Sequence, residues 1–246
     1  MKDRKQYFSV EDEVALHPDL NRERTHAEDL PEAPEKGQDP GSCYYTSTAF
    51  EPGVGNGVSP EYRELIRREQ ARYPASLVPF LSVLAGVLGG VFAVPAVFLS
   101  GIRSWLGMIV LVFLGPFAEE TLKQSGAIFQ LEKMRGSLRY DWQFFLSGAL
   151  GGAVFSVLEN LIYQHIYLAK LPPEKLAAVM AFRWTICMAL HILCTVVSSM
   201  GLRRAWRESL EKECPCLISK AFPWFAAATA IHGLYNLSML FLDPFG

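Results

Sequence analysis

Five ionisable side chains stand deep within apolar segments of this 246-residue chain: Glu119, Glu120, Glu159, His191 and His232. Each one costs about 2.5–3.5 kcal/mol in hydrocarbon on insertion scales, so five of them demand a purpose. Lys123 is four residues from Glu119 and three from Glu120, Tyr163 is four from Glu159, and Asn236 is four from His232. On helices these spacings share a face and make polar stripes about one turn long. Adjacent carboxylates in a low-dielectric site do not ionise independently. One of Glu119 and Glu120 can then serve as general base for water. Two chemistries follow for the histidines. His191 and His232 with Glu120 match a two-His, one-carboxylate set with an open position, the arrangement of a catalytic divalent metal such as zinc. Alternatively His191, His232 and Asn236 donate hydrogen bonds to a tetrahedral oxyanion with no metal at all. The helical zinc signature H-E-x-x-H is absent, and spacing alone leaves both open.

The elements that must position these groups are apolar segments. They run from about Leu77 to Gly101, Trp105 to Leu131, Trp142 to Leu168, Leu176 to Leu202 and Ala221 to Leu242. Each reaches the roughly 20 helical residues that cross a hydrocarbon core, and lipid cannot satisfy an open strand edge. The expectation is an all-α, polytopic bundle of about five spans over residues 77–246. The five ionisable residues fall near mid-span on four of these segments, a depth at which neighbouring helices can bring them together. Residues 1–76 form a separate polar region. Stretches such as LPEAPEKGQDPGS and EPGVGNGVSP hold too little apolar surface to fold, which predicts a disordered tail over residues 1–60. A short charged helix is expected over 61–73, with Ser59, Pro60 and Glu61 at its start.

The overall composition, 50% hydrophobic with a net charge of −2, averages these two regions and says nothing of partners. No feature points to nucleic acid, and no apolar run at the N-terminus suggests a cleavable signal. Basic residues cluster before the first segment (Arg63, Arg67, Arg68, Arg72), between the second and third (Lys133, Arg135, Arg139) and between the fourth and fifth (Arg203, Arg204, Arg207, Lys212, Lys220). The positive-inside rule then puts the N-terminus in the cytoplasm and the C-terminus outside. Small residues at Gly86, Gly89 and Gly90 and in SGALGGA (147–153), where Ser147 pairs with Gly151 and Gly148 with Gly152, suit close helix approach. Cys187 and Cys194 read as buried thiols. Cys214 and Cys216 are too few for a zinc site.

Four motifs in order carry a resemblance. PFAEETLK, GAVFSVLENLIY, RWTICMALH followed by Gly201, and HGLYN resemble the PrsW family of intramembrane proteases, within the wider CAAX-protease and bacteriocin-processing group. Glu119, Glu120, Lys123, Glu159, Asn160, Tyr163, Arg183, His191, His232 and Asn236 occupy the motif positions. The resemblance covers residues 77–242. It implies an endopeptidase that cuts membrane-anchored protein substrates, such as anti-sigma factors, in a bacterial cytoplasmic membrane. Family members are described as metalloproteases and relatives in the wider group as glutamate-type enzymes, so the resemblance carries both. Catalytic roles would fall to Glu119, Glu120, Glu159, His191, His232 and Asn236. Lys123, Asn160, Tyr163 and Arg183 would support them, and His191, His232 and Glu120 would be the metal ligands. The polar N-terminal region departs from the family pattern, as does a span count below that of some members.

Two other readings compete. Intramembrane Glu, His, Lys and Arg also mark proton- or ion-coupled transporters, although no inverted repeat or paired broken helices are visible. A non-catalytic scaffold or immunity-type membrane protein would use the acids and histidines for packing alone.

Overall fold

The computed structural model describes residues 60–98 and 105–242. Residues 1–59 of the expected disordered tail lie outside the described residues, as do residues 99–104, which include the end of the first segment. The first described element is the expected charged helix, α1 (Pro60–Ala71), begun by proline at a position where its missing N–H costs nothing. It is followed by α2 (Leu77–Phe92) and a short continuation α3 (Val94–Val97). The second segment is divided. It comprises α4 (Trp105–Ile109), a π-helical turn (Val110–Leu114), α5 (Gly115–Lys123) and α6 (Ser125–Lys133). Then come α7 (Trp142–Ile162), α8 (Pro173–Phe182), α9 (Met188–Glu211) and α10 (Phe222–Leu242). Two more π turns, Tyr163–Tyr167 and Arg183–Cys187, extend α7 and join α8 to α9.

Among the described residues, three stretches are by themselves long and apolar enough to cross a membrane: Leu77–Val97, Trp142–Tyr167 and Pro173–Glu211. The five-span expectation is not met on that measure, for a physical reason. Glu119, Glu120 and Lys123 dilute α5, and the chain breaks between α5 and α6 at Gln124, where ψ reaches 0°. Similarly, α10 carries His232 and Asn236 mid-helix. The residues that suggest chemistry are the ones that weaken the hydropathy signal. The fourth segment is longer than expected: at 1.5 Å per residue its 39 residues extend about 58 Å, far beyond a core of about 30 Å. Its Arg203–Glu211 end therefore projects from any bilayer.

Helix α7 is the centre of the bundle. It packs on α2 along one face and on α9 along the other, and α10 lies against α9, α5 and the first π turn. Small residues permit both contacts. Gly151 faces α2 and the Lys123 carbonyl, whereas Gly148 and Gly152 face Thr195, Ser199 and His191 on α9. The paired stripes read from SGALGGA are thus two different interfaces. Polarity runs inside out: Glu120, Lys123, Gln124, Asn160, Thr195 and Ser198 are buried while Phe80, Phe113, Leu234 and Phe241 are exposed. Water would reverse that arrangement, and hydrocarbon stabilises it.

The basic residues gather at one end. Arg139 Nη2 donates to the Gln70 carbonyl at 2.7 Å and to that of Tyr73, holding the segment that leaves α1. Arg203 Nη2 donates to Asp141 Oδ2 at 2.9 Å, and Arg207 donates to both oxygens of that carboxylate. Hydrogen bonds from Arg203 and then Arg207 pull the Asp141 pKa down to about 2. A depressed folded-state pKa stabilises above the unfolded value of about 3.9 and is lost as pH falls toward the folded value. Asp141→Asn should therefore lower the stability of detergent-purified protein at pH 6 by about 1 kcal/mol, the screened value for an exposed pair. The difference in melting temperature from wild type should close between about pH 5 and pH 2. A gap that persists at pH 2 would rule out ionisation as its source.

Candidate active site

Four elements meet where α5, the end of α7, the start of α9 and the middle of α10 pass one another. Glu119, Glu120, Lys123, Glu159, His191 and His232 are all buried there, with Glu120 wholly inaccessible. Helix α5 sets the first three on one face, as the spacing predicts. Lys123 Nζ donates to Glu120 Oε1 at 2.8 Å and lies 3.6 Å from Glu119 Oε2. It also lies 3.0 Å from His191 Nδ1 and 4.0 Å from the centre of the Phe155 ring.

These contacts assign the imidazole protons. An ammonium only donates, so His191 Nδ1 accepts from Lys123 and its proton sits on Nε2. That Nε2–H donates to Glu159 Oε2 at 2.9 Å. His232 Nδ1 lies 3.1 Å from Glu120 Oε1. A carboxylate only accepts, so this imidazole donates from Nδ1 and keeps a free lone pair on Nε2. His232 Nε2 faces Glu119 Oε2 at 3.8 Å. Glu119 Oε2 is buried with no hydrogen-bond partner, so it is the second uncommitted donor atom. Glu120, in contrast, is saturated: Lys123 and His232 hold Oε1, and Thr195 Oγ1 lies 3.1 Å from Oε2.

Around this set stand orienting groups. Arg183 Nη2 lies 2.9 Å from Glu159 Oε2, and its guanidinium stacks 3.5 Å from the centre of the Tyr163 ring. Arg183 Nε donates to Asn160 Oδ1 at 3.1 Å. Glu159 is therefore clamped between Arg183 and His191. The rings of His191 and His232 meet edge to face at 4.8 Å. Asn236 is elsewhere engaged: its amide donates at 3.0 Å to the Leu111 carbonyl in the first π turn. Its side chain ties α10 to that turn instead of aiming an amide at the carboxylates.

Three contributors escape a sequence reading. Thr195, one turn beyond His191, touches Glu120; the i+4 spacing was the available signal. Gln124 donates to the Thr195 carbonyl at 2.6 Å and to Ser198 Oγ at 2.9 Å, anchoring α5 to α9 at the break. Phe155 lies 5.1 Å from the His191 ring and floors the Lys123 ammonium. Nothing in the pattern of an apolar helix distinguishes that phenylalanine from a lipid-facing one.

Glu119, Glu120, His191 and His232 each offer a ligand atom, all within 4.8 Å of one another. The donor chemistry, two imidazoles and two carboxylates, suits a divalent transition metal. The orphaned Glu119 Oε2 and the free His232 Nε2 are what a cation in this set would satisfy. By these tests the residues fit a metal.

Compared with known families, residues 78–246 match the model of the PrsW family intramembrane metalloprotease. No curated protein and no solved structure matches the chain.

Proposed function

The chain belongs to the PrsW family of intramembrane metalloproteases, and from that premise we propose that it hydrolyses peptide bonds of membrane-anchored proteins with Glu119 as the general base. The observation that carries this reading is the convergence of three acids and two histidines from four helices into one buried set, with Glu119 Oε2 uncommitted.

Each of the chain's own groups has a task in the proposed reaction. Glu119 Oε2 takes a proton from the attacking water and passes it toward the leaving amine. Glu120 is fixed by Lys123, His232 and Thr195, so it contributes a held charge and a ligand atom. Glu159 is a positioning residue. It accepts the His191 Nε2 proton and so presents the Nδ1 lone pair to the centre of the site. Arg183 neutralises Glu159 on its other side, and Tyr163 carries the guanidinium. Asn236 holds the π turn against α10 and thereby sets the depth of His232. A divalent cation such as zinc, held by Glu120, His191 and His232 with Glu119 left free as the base, would supply Lewis-acid polarisation of the scissile carbonyl. The glutamate-type alternative would leave that polarisation to hydrogen-bond donors, and with the imidazole protons committed to Glu159 and Glu120 a histidine would first have to turn or take up a proton to supply one.

The natural substrate class is a single-pass membrane protein, with anti-sigma factors as the family precedent. The basic end formed by Arg139, Arg203 and Arg207 supports a cytoplasmic N-terminus and an external C-terminus in a bacterial cytoplasmic membrane. On this reading α4–α6 and α10 also lie within the bilayer, completing five membrane segments with α7 at their centre.

The test is cleavage of membrane-anchored peptide substrates by purified protein in proteoliposomes, with metal analysis and chelation of the same preparation. Cleavage lost on chelation and restored by zinc is expected. Cleavage untouched by complete metal removal would replace the metal-dependent form with the glutamate-type one. Proton-coupled flux without cleavage would favour a transporter instead.

A further inference from the structure

The Lys123 ammonium occupies the point toward which the donor atoms converge. Its Nζ contacts Glu120 Oε1 at 2.8 Å, His191 Nδ1 at 3.0 Å and Glu119 Oε2 at 3.6 Å. Those atoms belong to three of the four residues of the metal-capable set. The Phe155 face closes a fourth side at 4.0 Å. The side chain is fully buried, out of reach of bulk solvent.

The set is wide enough to hold an ammonium as it stands. Ammonium hydrogen bonds run at about 2.7–3.0 Å, and a tetrahedron of about 2.9 Å radius has edges of about 4.7 Å. Donors on tetrahedral zinc, bonded at about 2.0–2.1 Å, stand about 3.3 Å apart. The ligand atoms here all lie within 4.8 Å of one another, room for the ammonium, and would draw together around a bound metal. The lone pair on His191 Nδ1 is decisive. Lys123 already uses it, while Nε2 is committed to Glu159. His191 can ligate a cation through Nδ1 only after Lys123 lets go.

We propose that Lys123 is a built-in competitor for the metal: its ammonium neutralises the acids in the metal-free protein, and it must withdraw from His191 Nδ1 and Glu120 Oε1 for a divalent cation to be held. This rests on the metal-dependent reading above. Two physical consequences follow. The metal-free protein stays folded, because the two buried carboxylates of Glu119 and Glu120 keep a cation between them. Loading is weaker than such donors would otherwise give, because part of the binding free energy goes into displacing an ion pair.

The experiment measures zinc and cobalt(II) binding to the detergent-purified full chain, alongside melting temperatures with and without EDTA. Lys123→Met removes the ammonium while filling a similar volume. It is expected to bind zinc at least tenfold more tightly than wild type, with a zinc-dependent rise in melting temperature larger than that of wild type. Lys123→Arg retains a cation that cannot be discharged and should take up less zinc than wild type while keeping its melting temperature in EDTA. Equal zinc affinity in Lys123→Met and wild type would overturn the proposal, as would undiminished uptake by Lys123→Arg. If Lys123→Met folds only when zinc is supplied, the proposal stands; if it does not fold even then, the Lys123→Arg result decides. Absence of zinc uptake by both wild type and Lys123→Met overturns the competition, whereas the protease reading is judged separately by cleavage in those preparations.

Discussion

Glu119→Gln is expected to lower cleavage of a membrane-anchored substrate by about 10³-fold, within the range for loss of a positioned general base, while lowering the melting temperature less than Glu120→Gln does. The reason is the unequal state of two adjacent acids. Glu119 Oε2 has no hydrogen-bond partner and faces Lys123 only at 3.6 Å, so an amide there forfeits less in the resting structure than one at Glu120. The same change at Glu120 is a different experiment. Glu120 Oε1 receives Lys123 at 2.8 Å and His232 at 3.1 Å, and the residue is wholly inaccessible. Glu120→Gln uncouples a buried ion pair, which typically costs about 3–5 kcal/mol. It should lose both activity and stability, with protein that melts early and retains less zinc. Turnover and melting temperature, measured side by side on the two variants, separate the roles. Wild-type turnover in Glu119→Gln would remove Glu119 as the base, and an unshifted melting temperature in Glu120→Gln would deny its place in the charged core.

Gly152→Ala is expected to abolish most activity without touching an ionisable group. A Cβ at Gly152 would meet Ile192 Cα at 2.7 Å and the His191 carbonyl at 2.8 Å, both backbone atoms that cannot rotate aside. Helix α9 must then move away from α7 at the residue that carries the imidazole. Overpacking of this kind costs about 1–3 kcal/mol. The effect on chemistry is larger, because His191 bridges Lys123 and Glu159 through contacts of 3.0 and 2.9 Å. A misplacement of about 1 Å in such an arrangement can cost about 10²-fold in rate. Gly151→Ala is the control. Its nearest neighbour, the Lys123 carbonyl, would be 3.0 Å away, and the next, on Gly86, 3.5 Å. It should be milder in both readouts. Comparable losses in the two variants would mean that α7 packs alike on both sides and that the His191 contact has no special weight.

These contrasts mark what could be read in advance. Glu119, Glu120 and Lys123 share a face because helical spacing alone requires it, and the structure keeps them on one face of α5. The cost of ionisable groups in hydrocarbon pointed to a common interior location for Glu159, His191 and His232 before any fold was known. The helical class followed from lipid's inability to pair backbone groups, and the charged helix before Leu77 followed from Pro60 and the polar pattern around it.

Spacing fixes depth and face but not which atom meets which, since that depends on helices distant in sequence. Whether Glu119 or Glu120 stays uncommitted is decided by Thr195 and His232, residues 75 and 112 positions from Glu120. Asn236 turned toward the Leu111 carbonyl because a π turn lies beside it, a backbone choice that composition does not encode. The number of recognisable spans was obscured by the very residues that suggest chemistry, because each polar or charged group lowers the hydropathy of the helix that carries it. The chain by itself determined which side chains would have to leave the lipid; only the packing of α7 between α2 and α9 decided that Lys123 reaches His191, because rotation of one helix against another is set by small residues meeting backbone across the interface.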